Sequence, residues 1–251
     1  MRKVALVTGA SAGLGVDFAR QLSERGYRLV LAARRRERLD QLAAELGNAR
    51  AVAIDLSKAN AAARLMADIE ANGETVDLLV NNAGFGLIGK FAELDPKRLR
   101  QMIDLNVGTL TDLCRAVAAG MIARKSGGII NVASTAAFQP GPKMAVYFAT
   151  KAFVLSLTEA LHEELKPHGV HVTCLCPGPT HTEFGDVAGF GGNRMFDKVA
   201  MDSPEVVSAG IDGLDKNRAV VVPGVLNKLG AAGTRFAPRP VVRKIAGAIK
   251  Y

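Results

Sequence analysis

The sequence lacks the marks of several protein classes. It holds no apolar run of about 18 residues or more, so nothing in it reads as a membrane-spanning helix, and stable membrane insertion is not expected. The first apolar strand is expected from residue 3, which leaves no room for a signal peptide and points to the cytoplasm. Cysteine is scarce, and Cys114, Cys174 and Cys176 lack metal-ligand spacing. They read as buried thiols of a reducing compartment, with Cys174 and Cys176 sharing one strand face by alternation. None of His162, His168, His171 and His181 forms a ligand pair, so no metal site is expected. Tandem repeats, low-complexity tracts and linkers are also missing. The 251 residues, 49% of them hydrophobic, read as one domain with a sizeable core. The formal charge of +8 aids solubility and attracts anions, but it does not establish nucleic-acid binding.

What is present is alternation. Short apolar runs recur at Lys3–Val7, Arg28–Ala33, Ala51–Ile54, Val76–Val80, Gly128–Val132, Val170–Leu175 and Ala219–Val222, with helical stretches between them. That pattern predicts an α/β fold of the Rossmann type: a doubly wound, seven-stranded parallel sheet with helices on both faces. Pro96 suits the first position of a long helix. Another helix is expected from near Lys58 and another from near Lys143.

The first run is followed by Thr8-Gly9-Ala10-Ser11-Ala12-Gly13-Leu14-Gly15 and an amphipathic stretch from Val16 to Arg25. Strand, glycine turn and helix in that order form the first unit of a dinucleotide fold. Glycine lets the backbone bend sharply and approach a pyrophosphate, which meets the free N–H groups at the helix start. Gly9, Ser11, Gly13, Leu14 and Gly15 are therefore candidate cofactor contacts. An NAD site usually places an acid about 20 residues further on. Here Ala33 is followed by Arg34-Arg35-Arg36-Glu37-Arg38. Cations at a helix start oppose its dipole, and a 2′-phosphate would relieve that, since guanidinium forks bind phosphate oxygens in pairs. Arg34 and Arg35 thus favour NADP, with NAD a weaker alternative. A solvated basic helix start or a nucleic-acid patch is the plainer reading.

The fifth run ends at Ala133-Ser134-Thr135, at the edge of the sheet where ligands bind in open α/β folds. Past a Gly- and Pro-rich loop, Tyr147 and Lys151 stand four apart and share one helix face. A free phenol has a pKa of about 10 and is a poor base near neutrality. A neighbouring ammonium favours the phenolate, and lowering the pKa by about 3 units takes roughly 4 kcal/mol. Ser134 can hold a substrate oxygen near that phenol. Alone, Tyr-x-x-x-Lys is an ordinary helix pair; its context makes it a candidate reaction centre.

Taken together, several pieces resemble one family. They are the turn from Thr8 to Gly15, Asp55-Leu56 after the third strand, and Asn81-Asn82-Ala83-Gly84 after the fourth. Asn106, Ser134, Tyr147 with Lys151, and Pro177-Gly178 with Thr180 and Thr182 complete the set. Over essentially its whole length the chain resembles the short-chain dehydrogenase/reductase family. The resemblance implies Tyr147 as general acid/base, Lys151 on the nicotinamide ribose, Ser134 orienting the carbonyl, and Asn106 holding a water that relays protons. It implies Asp55 at the adenine, Asn82 beside the adenosine ribose, Thr180 and Thr182 by the carboxamide, and Arg34 selecting NADP. A homo-oligomer, dimer or tetramer, is implied as well. One departure is Ala12, where some NADP-using members carry a basic residue. Read without the resemblance, Asn106 satisfies a carbonyl, Asp55 is a turn or cap residue, and Thr180 and Thr182 are loop hydroxyls.

The expected activity is hydride transfer between NADP(H) and a small-molecule carbonyl or alcohol. The rivals are a redox sensor that binds NADP without useful turnover and a binder of RNA or membrane surfaces through basic segments. Residues 183–202, rich in glycine, with Phe184, Phe190 and Phe196, are expected to form a substrate lid. The extension 225–251 carries Lys228, Arg235, Arg239, Arg243, Lys244 and Lys250 among apolar residues. It reads as helix covering the pocket or a subunit contact, more simply than as a surface-seeking amphipathic segment, because Pro238 and Pro240 interrupt it.

Overall fold

The apolar runs become strands, and the stretches between them become helices. In chain order the elements are β1 (Val4–Thr8), α1 (Leu14–Glu24), β2 (Arg28–Ala33), α2 (Arg36–Leu46), β3 (Ala49–Ala53), α3 (Ala61–Ala71) and β4 (Val76–Asn81). Then come α4 (Pro96–Ile103), α5 (Leu110–Arg124), β5 (Gly127–Val132), α6 (Ala145–Leu165) and β6 (Val170–Leu175). The chain closes with α7 (Ser203–Asp215), β7 (Val220–Val221), α8 (Val225–Phe236) and α9 (Arg239–Ala248). The computed structural model describes residues 2–183 and 200–248. Most of the expected lid, with its three phenylalanines, falls outside the described residues.

The strands form one seven-stranded sheet in the order β3-β2-β1-β4-β5-β6-β7, every pairing parallel. Alternation along each strand divides the core. Val4, Leu6, Leu79, Ile129 and Val172 pack with α3, α5 and α6 on one face. Ala5, Val7, Leu29, Leu31, Val80 and Ile130 pack with α1, α2 and α7 on the other. Full burial of a Leu or Phe such as Leu6 or Phe18 contributes roughly 1.5–3 kcal/mol. The strand order reverses between β1 and β4, which opens a crevice beyond the carboxyl ends of the strands.

Several boundaries differ from the sequence reading, each for a local reason. β3 begins at Ala49, because Arg50 joins the ladder beside Val30 while its guanidinium pairs with Glu74 and Asp68. β7 shrinks to two residues, since it pairs only with Cys174 and Leu175. α3 starts at Ala61 rather than near Lys58: Asp55 closes a turn onto Ser57, and Asn60 is left-handed at φ 59°. α6 starts at Ala145, because Lys143 is left-handed at φ 67° and its carbonyl accepts the Gly89 N–H at 2.9 Å. Pro96 does open a helix, with the Asp95 carboxylate accepting the Lys97 N–H at 2.9 Å. The long helix expected there is split by a π-helical turn at Asp104–Thr109, which contains Asn106.

Candidate active site

The turn after β1 is wound tightly. Gly9 has φ 67°, and a Cβ on Gly15 would lie 2.2 Å from the Gly9 carbonyl, so that crossing admits only glycine. Asn82, at the end of β4, clamps the turn from beside it. Its amide donates to the Thr8 carbonyl at 3.0 Å and the Gly9 carbonyl at 3.3 Å. The Thr8 hydroxyl in turn accepts the N–H groups of Asn82 and Ala83, both at 3.0 Å. The donors of Asn82 thus hold the turn rather than reach outward. Among the described residues no side chain caps the N-terminus of α1, where Gly13 stands at φ 51°.

The crevice has a volume of about 590 Å³ and reaches from this turn in both directions. At one end lie Arg34, Arg35, Asp55 and Leu56. Arg34 is exposed. Asp55 accepts the Ser57 hydroxyl at 2.7 Å and the Ser57 N–H at 3.0 Å, so the turn reading of this residue is correct. Burial raises its pKa, but the two Ser57 hydrogen bonds with the nearby Arg34 and Lys58 outweigh burial and leave it lowered. Arg35 donates to the Ser11 hydroxyl at 3.2 Å and the Ser11 carbonyl at 3.1 Å. It also pairs with Glu183 at 2.8 Å, and the other Glu183 oxygen meets Arg38. These two guanidinium groups hold the Glu183 carboxyl below the usual range.

At the other end Ser134, Tyr147 and Lys151 converge. β5 delivers Ser134, whose hydroxyl accepts the Ala136 N–H at 3.1 Å and hydrogen-bonds the Tyr147 phenol. α6 delivers Tyr147 and Lys151 from successive turns, both buried. The Lys151 Nζ donates to the Val132 carbonyl at 2.8 Å and lies 5.7 Å from the Tyr147 ring centroid. Burial pulls the ammonium down to about 8, against the opposing pull of Cys174 and Cys176. Burial pushes the phenol up to about 12, against the Ser134 hydrogen bond. The phenol shift is therefore opposite to the one expected from an adjacent ammonium. Dehydration of the ring sets the direction, and the Lys151 cation is engaged by a backbone carbonyl.

Asn106 and Gly15 do not line the crevice. The Asn106 amide sits one layer behind it, accepting the Phe85 N–H at 3.2 Å and donating to the Phe85 carbonyl at 3.0 Å and the Thr150 hydroxyl at 3.1 Å. A Cβ on Gly84 would lie 3.1 Å from its Oδ1 and 3.6 Å from the Lys151 Nζ, so Gly84 passes close to both. Thr180 is buried and donates to the Gly178 carbonyl at 3.0 Å, while Thr182 packs on Gly13; both border the crevice. His181, between them, is exposed and does not line it.

Sequence reasoning missed Arg98, Gln101, Phe85, Met144 and Phe148, which line the wall near the phenol. Arg98 stacks 4.7 Å over the Phe85 ring. Its place on α4 carries no local motif, and only the fold brings it there. The expected pocket cover by the C-terminal extension is not seen: none of the described residues beyond Glu183 lines the crevice. The two thiols of Cys174 and Cys176 do share a face, 3.6 Å apart and unlinked.

A crevice that joins a glycine turn to a Ser, Tyr and Lys cluster over one parallel sheet has counterparts among known proteins. The sequence model described as short chain dehydrogenase matches residues 3–188. The chain belongs to that family. An oxidoreductase of Staphylococcus epidermidis is 36% identical over 197 residues, covering 78% of this chain and 85% of that protein. An NADP-dependent 3-hydroxy acid dehydrogenase of Salmonella typhi is 39% identical over 187 residues, covering 73% of this chain and 75% of that protein. A solved short-chain dehydrogenase from Sphingobium yanoikuyae, in complex with NADPH, superposes with a TM-score of 0.85 at 31% identity. That superposition covers 99% of this chain and 96% of the solved one. Membership of this family makes the protein an oxidoreductase of the short-chain dehydrogenase type.

Proposed function

We propose that the protein interconverts a carbonyl and an alcohol with NADP(H), using Tyr147 as the general acid/base. The observation that carries this reading is the single crevice with arginines and an uncapped helix N-terminus at one end and a buried phenol–serine–amine cluster at the other. The donor set fits a phosphorylated dinucleotide. The N-terminal amides of α1 suit a pyrophosphate, and Arg34, Arg35 and Ser11 suit a 2′-phosphate. Both the Salmonella relative and the Sphingobium structure carry NADP or NADPH in their descriptions, which supports the same choice here.

When bound, the reduced nicotinamide supplies the hydride. The protein supplies the proton and the geometry. Ser134 donates a hydrogen bond to the carbonyl oxygen and keeps it beside the phenol. Tyr147 gives that oxygen its proton as negative charge develops, and Lys151 stabilises the phenolate left behind. The phenol carries its proton near neutral pH, as a group must before it can give one up, and oxidation runs through the same groups in reverse. Asn106, behind Gly84, orients the backbone over Lys151 and holds a proton-relaying water there. Phe85, Met144 and Phe148 give the substrate an apolar wall, with Arg98 and Gln101 as its polar groups.

Tyr147→Phe removes one oxygen from this scheme. Its expected result is a fall in carbonyl reduction of about a thousandfold or more with NADPH affinity nearly unchanged. It is checked by NADPH oxidation across a carbonyl panel beside equilibrium NADPH binding. Turnover at the wild-type rate would remove the phenol from the mechanism.

A further inference from the structure

The two C-terminal helices are amphipathic inside out. α8 rests on the body through buried Ala231 and half-buried Asn227 and Thr234. Its large apolar residues face the other way: Leu226 is 77% exposed, Leu229 64% and Phe236 88%. With Val225 they fall on one arc of a 3.6-residue spiral, opposite the packed face. A surface helix ordinarily buries such a stripe. α9 likewise leaves apolar residues outward, turning Val242 and Ala246 inward while Val241 and Ile245 stay exposed.

The charge around this stripe is of one sign. Lys228, Arg235, Arg239, Arg243 and Lys244 are exposed on the same two helices. No Asp or Glu follows Asp215, and acids balance Lys and Arg before it, so the chain's whole formal excess of +8 lies beyond that residue. α8 is fixed to the body rather than trailing. α8 packs on the turn Thr135–Phe138, and Asn227 lies against Gly178 at the crevice wall.

We infer that α8 and α9 form a docking surface for an anionic lipid membrane. Exposed apolar side chains flanked by cations suit the headgroup boundary, where the stripe meets acyl chains and the cations meet phosphates. Helices of 12 and 10 residues are too short to span, so they lie along the surface. A second copy meeting this face through a two-fold axis would set two wholly positive patches together, which like-charge repulsion opposes. A nucleic acid would engage the cations but leave the apolar stripe in water. The inference does not depend on the reaction or the cofactor.

The test uses the full chain with vesicles of phosphatidylcholine alone or mixed with phosphatidylglycerol, read by co-sedimentation, beside the solution mass. The expected result is at least about tenfold stronger binding to the anionic vesicles, falling as salt rises. Leu226→Asp with Leu229→Asp, and separately Arg243→Glu with Lys244→Glu, should each weaken it by about tenfold or more at unchanged solution mass and NADPH oxidation rate. Both pairs are exposed, so folding is kept. Equal binding to both vesicle types, or none, overturns the inference. So does a Leu226→Asp, Leu229→Asp variant that dissociates an oligomer while the wild type ignores vesicles, which assigns the face to a second copy. Salt-sensitive binding to an RNA without vesicle binding assigns it to nucleic acid.

Discussion

Lys151 shows what burial does to a charge that a reaction needs. Its ammonium drops from 10.5 to about 8 because little water reaches it. Below pH 8 the folded protein carries the whole cost of keeping that charge inside, about 3 kcal/mol. Between pH 8 and 10.5 the folded protein has released a proton that the unfolded chain still holds, so stability rises with pH across that window. Lys151→Met keeps the volume and drops the charge. It forgoes the Val132 hydrogen bond, worth about 2 kcal/mol for a charged donor, and should still gain about 1 kcal/mol at pH 7 in urea unfolding. The same variant should lose turnover, and its stability should no longer climb above pH 8. A less stable variant would mean that burial does not govern this amine.

Glu183 belongs to the same scale. It answers Arg35 and Arg38 with the kind of anion that a 2′-phosphate would present. All three side chains are well exposed, so each pair is worth about 1 kcal/mol at most. Glu183→Gln should therefore tighten NADPH by up to about fivefold at low salt and leave NADH unchanged, as read by fluorescence titration. Equal tightening of both cofactors would show that the carboxylate does not compete with the phosphate. Nothing local in the sequence announced this contact, since the partners stand 148 and 145 positions apart. Tyr147 and Lys151, in contrast, stand one helical turn apart, where spacing alone predicts a shared face.

The elements divide in the same way. Strand, turn and helix at the start of the chain are contiguous, so apolar run, glycines and amphipathic stretch could be read directly. The helix from Pro96 was legible at its start because proline suits a first helical position, and the structure adds the Asp95 cap. Its interruption at Asp104–Thr109 was not, because a π-helical turn is held by what its side chains meet elsewhere. Asn106 meets Phe85, 21 positions away, through both halves of its amide. It thereby ties the α4–α5 junction to the loop after β4. Asn106→Ala would leave a half-buried N–H and carbonyl without their partner, and about 1–3 kcal/mol of stability should be lost. Urea unfolding at constant m would register it. A loss under about 0.5 kcal/mol would mean that water or a shifted loop replaces the amide.

Across the whole molecule the crevice draws on loops from both halves of the sheet, so filling it should stabilise the fold as a unit. NADPH at about a hundred times its dissociation constant should add about 2.7 kcal/mol, several degrees in Tm. NADH at the same concentration should raise it less, and Arg34→Ala should narrow the difference. Equal shifts for the two cofactors in the wild type would count against a phosphate site at the arginines. The exposed apolar stripe on α8 and α9 was written in the sequence as apolar and basic residues, but which side faced the body depended on packing that periodicity does not reveal.

The last strand is only Val220–Val221, with Pro223 shortly after it. A foreign strand arriving on that flank would find barely one rung of amide and carbonyl to grip, and a ring in place of the next donor. The sheet therefore ends there in a blunt margin that resists fibrillar growth, and contacts made on that side must rely on shape and charge rather than on main-chain pairing.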